Sequence, residues 1–342
     1  MVTTGDSTVS RETDSPPLAT STNASSRIAS LDQFRGWAIF LMILVNYLGE
    51  YRAMPETFRH HREGMSFAEL VVPAFLFAVG VGYRLTFLRR MREDGVWRAR
   101  WAAVKRYVIL IIIGYLIYGM DYGENFWESL NWNFWDALVD IGFAGLLALP
   151  FIERGPVVRL VAGLAYCAIF QAAYDFAGYG AWVRDNSIDG GPLGPLTQAF
   201  PLLLGTVAWD LLALRDRRRF IVGALALGLA AMALGYGLSY RWAFSQRYGT
   251  ASYLILAAGI CMLVYLAFYL LSDVAGIKVP TFASMGRNAL SIYIAQQFLL
   301  GLHVLPPETT SALPALAMFL GLYLALYAAA RYLDRSGYYI RI

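Results

Sequence analysis

Long apolar segments recur along this sequence of 342 residues, and they constrain its fold more than any other feature. Ten such segments follow one another, most of them within or near the roughly 17–25 residues that a helix needs to cross a bilayer. They cover residues 36–47, 67–87, 104–120, 136–152, 157–176, 195–213, 220–239, 251–272, 288–304 and 312–332. No ten-residue segments of alternating polarity are present, so a barrel of strands is not indicated. The pattern predicts an all-α, polytopic membrane protein with about ten transmembrane helices.

Composition favours the same fold class. Hydrophobic residues make up 58% of the chain and charged residues 15%, whereas a soluble domain carries roughly 25% charged residues. We therefore expect the bilayer to be the main solvent and membrane lipid to be a partner. The net charge of +4 does not indicate a nucleic-acid partner. Cys167 and Cys261 lie inside apolar runs, which argues against a disulfide framework and against a metal site.

The first 26 residues differ from the rest of the chain. They are rich in Ser, Thr and Asp and lack any apolar run, so residues 1–26 are predicted to form a disordered tail without a cleavable signal peptide. Residues 27–342 are predicted to form a single transmembrane domain. No internal repeat of the kind that builds inverted-repeat transporters is evident.

Basic residues indicate the orientation in the membrane. The segment after the second apolar run, residues 84–106, contains eight Arg and Lys residues, and residues 215–219 contain four Arg. Lys and Arg concentrate in cytoplasmic loops. The alternate loops contain only Arg52, Arg59, Arg62, Arg184, Arg241 and Arg247. With an even number of spans, both termini are then predicted to be cytoplasmic.

Four polar residues stand at the predicted cytoplasmic ends of two spans. Asp32 and Arg35 are three residues apart and therefore share one helix face. They form either an ion pair that anchors the helix or a contact to an anionic cosubstrate. Arg287 and Asn288 open the ninth span, where an arginine can bind phosphate or simply follow the positive-inside rule.

Further candidates lie toward the opposite membrane face. Asn46 is eleven residues beyond Arg35, or roughly 16 Å further along a helix. An amide at that depth needs hydrogen-bond partners, or it serves as a helix-packing contact. The adjacent His60 and His61 are a poor metal signal because neighbouring side chains diverge. A histidine near a carboxylate such as Glu69 is a good base or nucleophile, although a solvated basic loop has the same composition.

Asp140 begins the fourth span, four residues after Asp136 and on the same helix face. It could orient a histidine, bind an amine or hydroxyl of a substrate, or form a hydrated cap of the helix.

Several of these segments together resemble heparan-α-glucosaminide N-acetyltransferase and its bacterial relatives. The resemblance rests on Ser30–Gly36, Met42–Tyr47, Ala68–Gly80, Thr250–Tyr253 and Arg287–Tyr293. The family usually has Asp at the position of Glu69, and its relatives often have Arg at the position of Asp140. Membrane O-acyltransferases that modify polysaccharides typically have a histidine where this chain has Asn46, which favours the N-acetyltransferase-like branch.

The resemblance implies a membrane acyltransferase that uses acetyl-CoA or another acyl-CoA as cosubstrate and a sugar amine or hydroxyl as acceptor. It assigns the active-site histidine to His60 and its companion to Asn46. His61 is the alternative, because the family usually has one residue more before the glycine that matches Gly64. Glu69 or Asp140 would orient the histidine or hold the acceptor.

By the same resemblance, the protein is expected in a bacterial cytoplasmic membrane, and a homo-oligomer is compatible with it. Two other classes fit the polar residues as well. A transporter or flippase would catalyse no acyl transfer, and a non-catalytic membrane scaffold would tolerate loss of His60 and Asn46.

Overall fold

The fold comes from a computed structural model that describes residues 28–121, 137–186, 189–301 and 307–339. The tail predicted at residues 1–26 and the residue Asp136 lie outside the described residues. Within the described ranges, all regular secondary structure is helical, which confirms the predicted all-α class.

The α-helices follow the apolar segments closely. In chain order they are α1 (Ala29–Leu48), α2 (Val71–Asp94), α3 (Val96–Asp121), α4 (Ala137–Ala148), α5 (Pro156–Phe176), α6 (Tyr179–Asn186), α7 (Gly194–Ala213), α8 (Arg217–Ser239), α9 (Ala251–Phe268), α10 (Pro280–Arg287), α11 (Ala289–Gly301) and α12 (Ala312–Ser336). Short 3₁₀ turns precede α2 and α7, and a π-helical turn, Tyr269–Val274, continues α9. The eight-residue helices α6 and α10 were not expected, because neither is long enough to stand out as an apolar segment.

Six described helices are long and apolar enough to cross a membrane. They span Ala68–Asp94, Pro156–Phe176, Gly191–Ala213, Arg217–Ser239, Ala251–Val274 and Ala312–Ser336. The apolar helices Ala137–Phe151 and Ala289–Leu300 are shorter. These helices indicate an integral membrane protein, while the count of about ten spans stays a prediction.

Close contacts between helix backbones hold the centre of the bundle together. A Cβ atom on Gly80 of α2 would overlap the carbonyl oxygen of Leu202 on α7, and one on Gly205 of α7 would overlap that of Phe77 on α2. Small residues at such crossings let two backbones approach and gain van der Waals contact, which is the main attraction between helices in lipid.

The outer helices expose apolar side chains. Val161 of α5, Leu229 of α8 and Leu320 of α12 are each more than half exposed. In a soluble protein such a surface would be a large unpaired apolar patch, whereas lipid tails solvate it in a membrane.

Three loops meet at one end of the bundle, where α1 ends and α2, α7 and α9 begin. The Gly64 N–H donates to the Phe244 carbonyl over 2.7 Å, and the Ser245 hydroxyl donates to the Arg62 carbonyl over 2.5 Å. The Gly190 N–H donates to the Arg247 carbonyl over 3.1 Å. These bonds join segments that are far apart in the sequence into one rim, and the candidate site lies beneath it.

Candidate active site

A cavity of about 340 Å³ lies at this end of the bundle. Its wall includes Asn46 near the end of α1, the loop residues His60 and His61, and Tyr293 and Gln297 of α11. The structure therefore brings together the three residues that the sequence assigned to catalysis. Apolar side chains from α1 and α2, such as Met42 and Phe75, complete the wall.

Both histidines approach the same carboxylate oxygen. The His60 Nδ1 lies 3.7 Å from the Glu69 Oε1, and the His61 Nδ1 lies 3.5 Å from it. The expectation that the two adjacent side chains diverge is therefore not met. The reason is local: the loop is irregular, with bends at Arg59 and Arg62 on either side of the histidines, and the His61 backbone N–H also donates to the Glu69 Oε1 over 2.8 Å.

Glu69 is fully buried and holds the loop from below. Its Oε2 accepts hydrogen bonds from the Ser66 backbone N–H (2.6 Å) and the Ser66 hydroxyl (2.8 Å). Its carbonyl accepts a hydrogen bond from the Tyr253 hydroxyl of α9 over 2.5 Å. Both carboxylate oxygens are thus engaged beneath the histidines, and Glu69 orients the loop without reaching the cavity wall.

Four polar residues on the cavity wall were not singled out as site candidates from the sequence: Arg62, Asp189, Gln246 and Arg247. In the described part of the chain, neither arginine side chain forms an ion pair. Asp189 has a left-handed backbone with a φ of 53°. The Asp189-Gly190 pair is a turn signal that a reading of the sequence could have used, but a turn signal does not reveal which cavity the turn borders.

Asp140 is fully buried behind this wall. Its Oδ2 accepts a hydrogen bond from the Gln198 amide of α7 over 2.8 Å, and the same amide donates to the Asp189 carbonyl over 3.2 Å. Asp140 is therefore linked to the cavity through Gln198.

The four remaining candidates lie at the opposite end of α1. Arg35 donates to the Ala78 carbonyl of α2 over 3.3 Å, and Asp32 stands one turn before it. Arg287 forms a bidentate ion pair with Asp334 of α12, with the Arg287 Nε 2.7 Å from the Asp334 Oδ1.

Asn288 fastens the adjoining helices at this end. Its amide donates to the carbonyls of Ser284 on α10 and Ala330 on α12. None of these four residues borders the cavity that contains the histidines.

A buried charge cluster also lies at that end and was not predicted. Arg84 had been assigned to the basic loop after the second span, but it lies inside α2 with its Nε 2.9 Å from the Asp210 Oδ1 of α7. Arg159 of α5 is fully buried and forms an ion pair with the same carboxylate. The assignment to a loop was wrong because α2 continues as a helix to Asp94, and the arginines in this part of the sequence resemble a basic loop.

Two imidazoles and an amide therefore share one cavity wall inside the helical bundle. Residues 27–188 match the family model described as heparan-alpha-glucosaminide N-acetyltransferase, catalytic. This segment is therefore similar to the catalytic region of that family, and the resemblance expected from the sequence is confirmed over these residues. The match includes Asn46 and both histidines, whereas Asp189, Gln246 and Arg247 lie beyond it. No curated protein matches the chain significantly.

Proposed function

We propose that the protein transfers an acetyl or other acyl group from acyl-CoA to an amine or hydroxyl of a sugar. The observation that carries this proposal is the meeting of Asn46, His60 and His61 on one cavity, within the segment that matches the catalytic family. The donor would enter from the cytoplasmic end of α1, and the acceptor would bind at the far side of the membrane.

The cavity groups fit two routes. In the first, the imidazole of His60 attacks the thioester carbonyl, the C–S bond breaks, CoA leaves, and the acceptor then takes the acyl group from the histidine. In the second, His60 removes the proton from the acceptor while the acceptor attacks the thioester directly.

Two neighbours support either route. Because the Nδ1 of each histidine faces Glu69, the Nε2 is the nitrogen left for chemistry. The Asn46 amide is suited to donate a hydrogen bond to the oxyanion that forms on the thioester carbonyl.

The opposite end of α1 is the proposed entrance for the donor. Arg35 is the leading contact for a CoA phosphate, with Asp32 beside it, because the guanidinium of Arg287 is already engaged by Asp334. Asn288 supports this end by joining α10, α11 and α12.

The entrance is tested by the apparent KM for acyl-CoA. Arg35→Gln should raise it by about ten- to hundredfold, which corresponds to loss of one charged hydrogen bond. Arg287→Gln should act mainly on thermal stability. An unchanged KM in a folded Arg35→Gln variant would remove Arg35 from the entrance.

The transfer itself is tested with purified protein, radiolabelled acetyl-CoA and a panel of amino sugars. We expect labelled product and stoichiometric release of CoA, and neither with a variant in which His60 and His61 are both alanine. A transporter would instead move sugar or lipid across vesicles without consuming acetyl-CoA, and that result would contradict the proposal.

A further inference from the structure

Asp189 contributes a carboxylate to the cavity that contains the histidines. Its Oδ1 accepts a hydrogen bond from the Gln246 amide, also on the cavity wall, over 3.2 Å. The carboxylate therefore has a defined position next to the proposed reaction centre. Since residues 189 and 246 both lie beyond the segment that matches the family, no role for either follows from the match.

The turn around Asp189 is held from several directions. Asp189 has a φ of 53°, and Gly190 and Gly191 have φ values of 80° and 59°. The Tyr179 hydroxyl donates to the Gly190 carbonyl over 2.7 Å, which fixes the turn against α6. A left-handed backbone is uncommon outside glycine and persists where the surrounding structure holds it in place, which is frequent at ligand sites.

Asp140 helps to hold the same turn. The Gln198 amide donates both to the Asp140 carboxylate and to the Asp189 carbonyl, so a buried acid is connected to the turn through one side chain. This connection gives the buried carboxylate of Asp140 a structural role at the turn, although Asp140 does not itself border the cavity.

The chemistry of the wall limits what Asp189 can do. Arg62 and Arg247 also border the cavity, and a guanidinium donates hydrogen bonds but accepts none. An amine or hydroxyl that enters as a nucleophile needs an acceptor for its hydrogen atoms, and a protonated amine needs a negative charge. The carboxylate of Asp189 supplies both.

We propose that Asp189 is the residue that positions the acceptor: it binds the amine or a hydroxyl of the sugar and holds it against the histidines. Gln246 holds its carboxylate, and Asp140 holds the backbone of the turn through Gln198. This inference rests on the proposed acyl transfer and assigns the acceptor half of that reaction to the turn at Asp189.

Asp189→Asn in the purified full-length protein tests the assignment. Asparagine tolerates the left-handed backbone and has the same shape, so folding is preserved while the charge is lost. With D-glucosamine as the acceptor, we expect the KM for D-glucosamine to rise by about ten- to hundredfold. This rise corresponds to the loss of one charge-assisted hydrogen bond. The KM for acetyl-CoA should stay unchanged, which a merely structural role would not produce.

Asp185→Asn is the matched control, because Asp185 is exposed on α6 and does not border the cavity. It should leave both KM values unchanged. Equal KM values for D-glucosamine in the wild type and Asp189→Asn would overturn the role of Asp189 while leaving acyl transfer intact. Absence of acetyl-CoA turnover by the wild type with every acceptor, together with no binding of D-glucosamine, would overturn both proposals.

Discussion

The two histidines differ in how exposed their side chains are. The His60 side chain is 48% exposed and the His61 side chain 34%, although both lie within 4 Å of the Glu69 Oε1. The more exposed ring has better access to a substrate, and the family resemblance also assigns the catalytic role to it. Because His61 approaches the same carboxylate, however, we expect it to replace His60 in part when His60 is lost.

His60→Ala should lower turnover by about 10²–10⁴, the usual contribution of a positioned acid–base group. His61→Ala should lower it much less. Turnover of both variants is measured at equal expression and equal thermal stability. If His61→Ala is inactive while His60→Ala retains activity, the catalytic residue is His61. Full activity of both variants would exclude the histidine mechanism.

Glu69 provides two acceptor oxygens, and both are used by backbone N–H groups beneath the histidines. Glu69→Gln leaves only one acceptor oxygen, so a buried N–H loses its partner at a cost of about 1–3 kcal/mol. We expect a lower melting temperature together with a lower kcat. Glu69→Asp keeps both oxygens and the charge and should lose less of each; the reverse order would contradict this role.

At the scale of helices, the contact between α2 and α7 depends on two glycines that face each other's backbone. Gly80→Ala places a methyl group against the Leu202 carbonyl and should destabilise the fold by about 1–3 kcal/mol. The melting temperature in detergent measures the effect.

Gly237→Ala on α8 is the matched control for that substitution. A Cβ atom at Gly237 meets no atom within 4 Å, and alanine favours the helix over glycine. Its melting temperature should stay the same or rise slightly. Equal losses in both variants would show that the close approach of α2 and α7 is not what stabilises the bundle.

At the scale of the whole molecule, we predict the orientation in the membrane from the basic residues near the end of α2. Glu56→Cys should react with an impermeant thiol reagent in intact cells, and Asp94→Cys should not. The background lacks Cys167 and Cys261, which are both buried. Asp94 serves better than Gly95, whose φ of 87° disfavours any side chain. If only Asp94→Cys were labelled, the protein would have the opposite orientation to the one predicted.

Much of the architecture was predictable from the sequence. Apolar runs and basic clusters predicted an all-helical membrane protein, because lipid exposure and backbone hydrogen bonding act on each segment locally. Asn46, His60 and His61 were singled out in the same way, from a polar residue near a membrane span, a basic loop and a family pattern. Their confinement to one cavity agrees with that expectation, although it does not test their chemistry.

The rim of the cavity was decided by tertiary structure. Asp189 and Gln246 are 57 residues apart and join His60 only because α7, α8 and α9 return their connecting loops to the same end of the bundle. The ion pairs of Asp210 with Arg84 and Arg159 likewise join three helices. Such contacts depend on which helices become neighbours, and hydrophobic runs of similar length and composition contain no information about that choice.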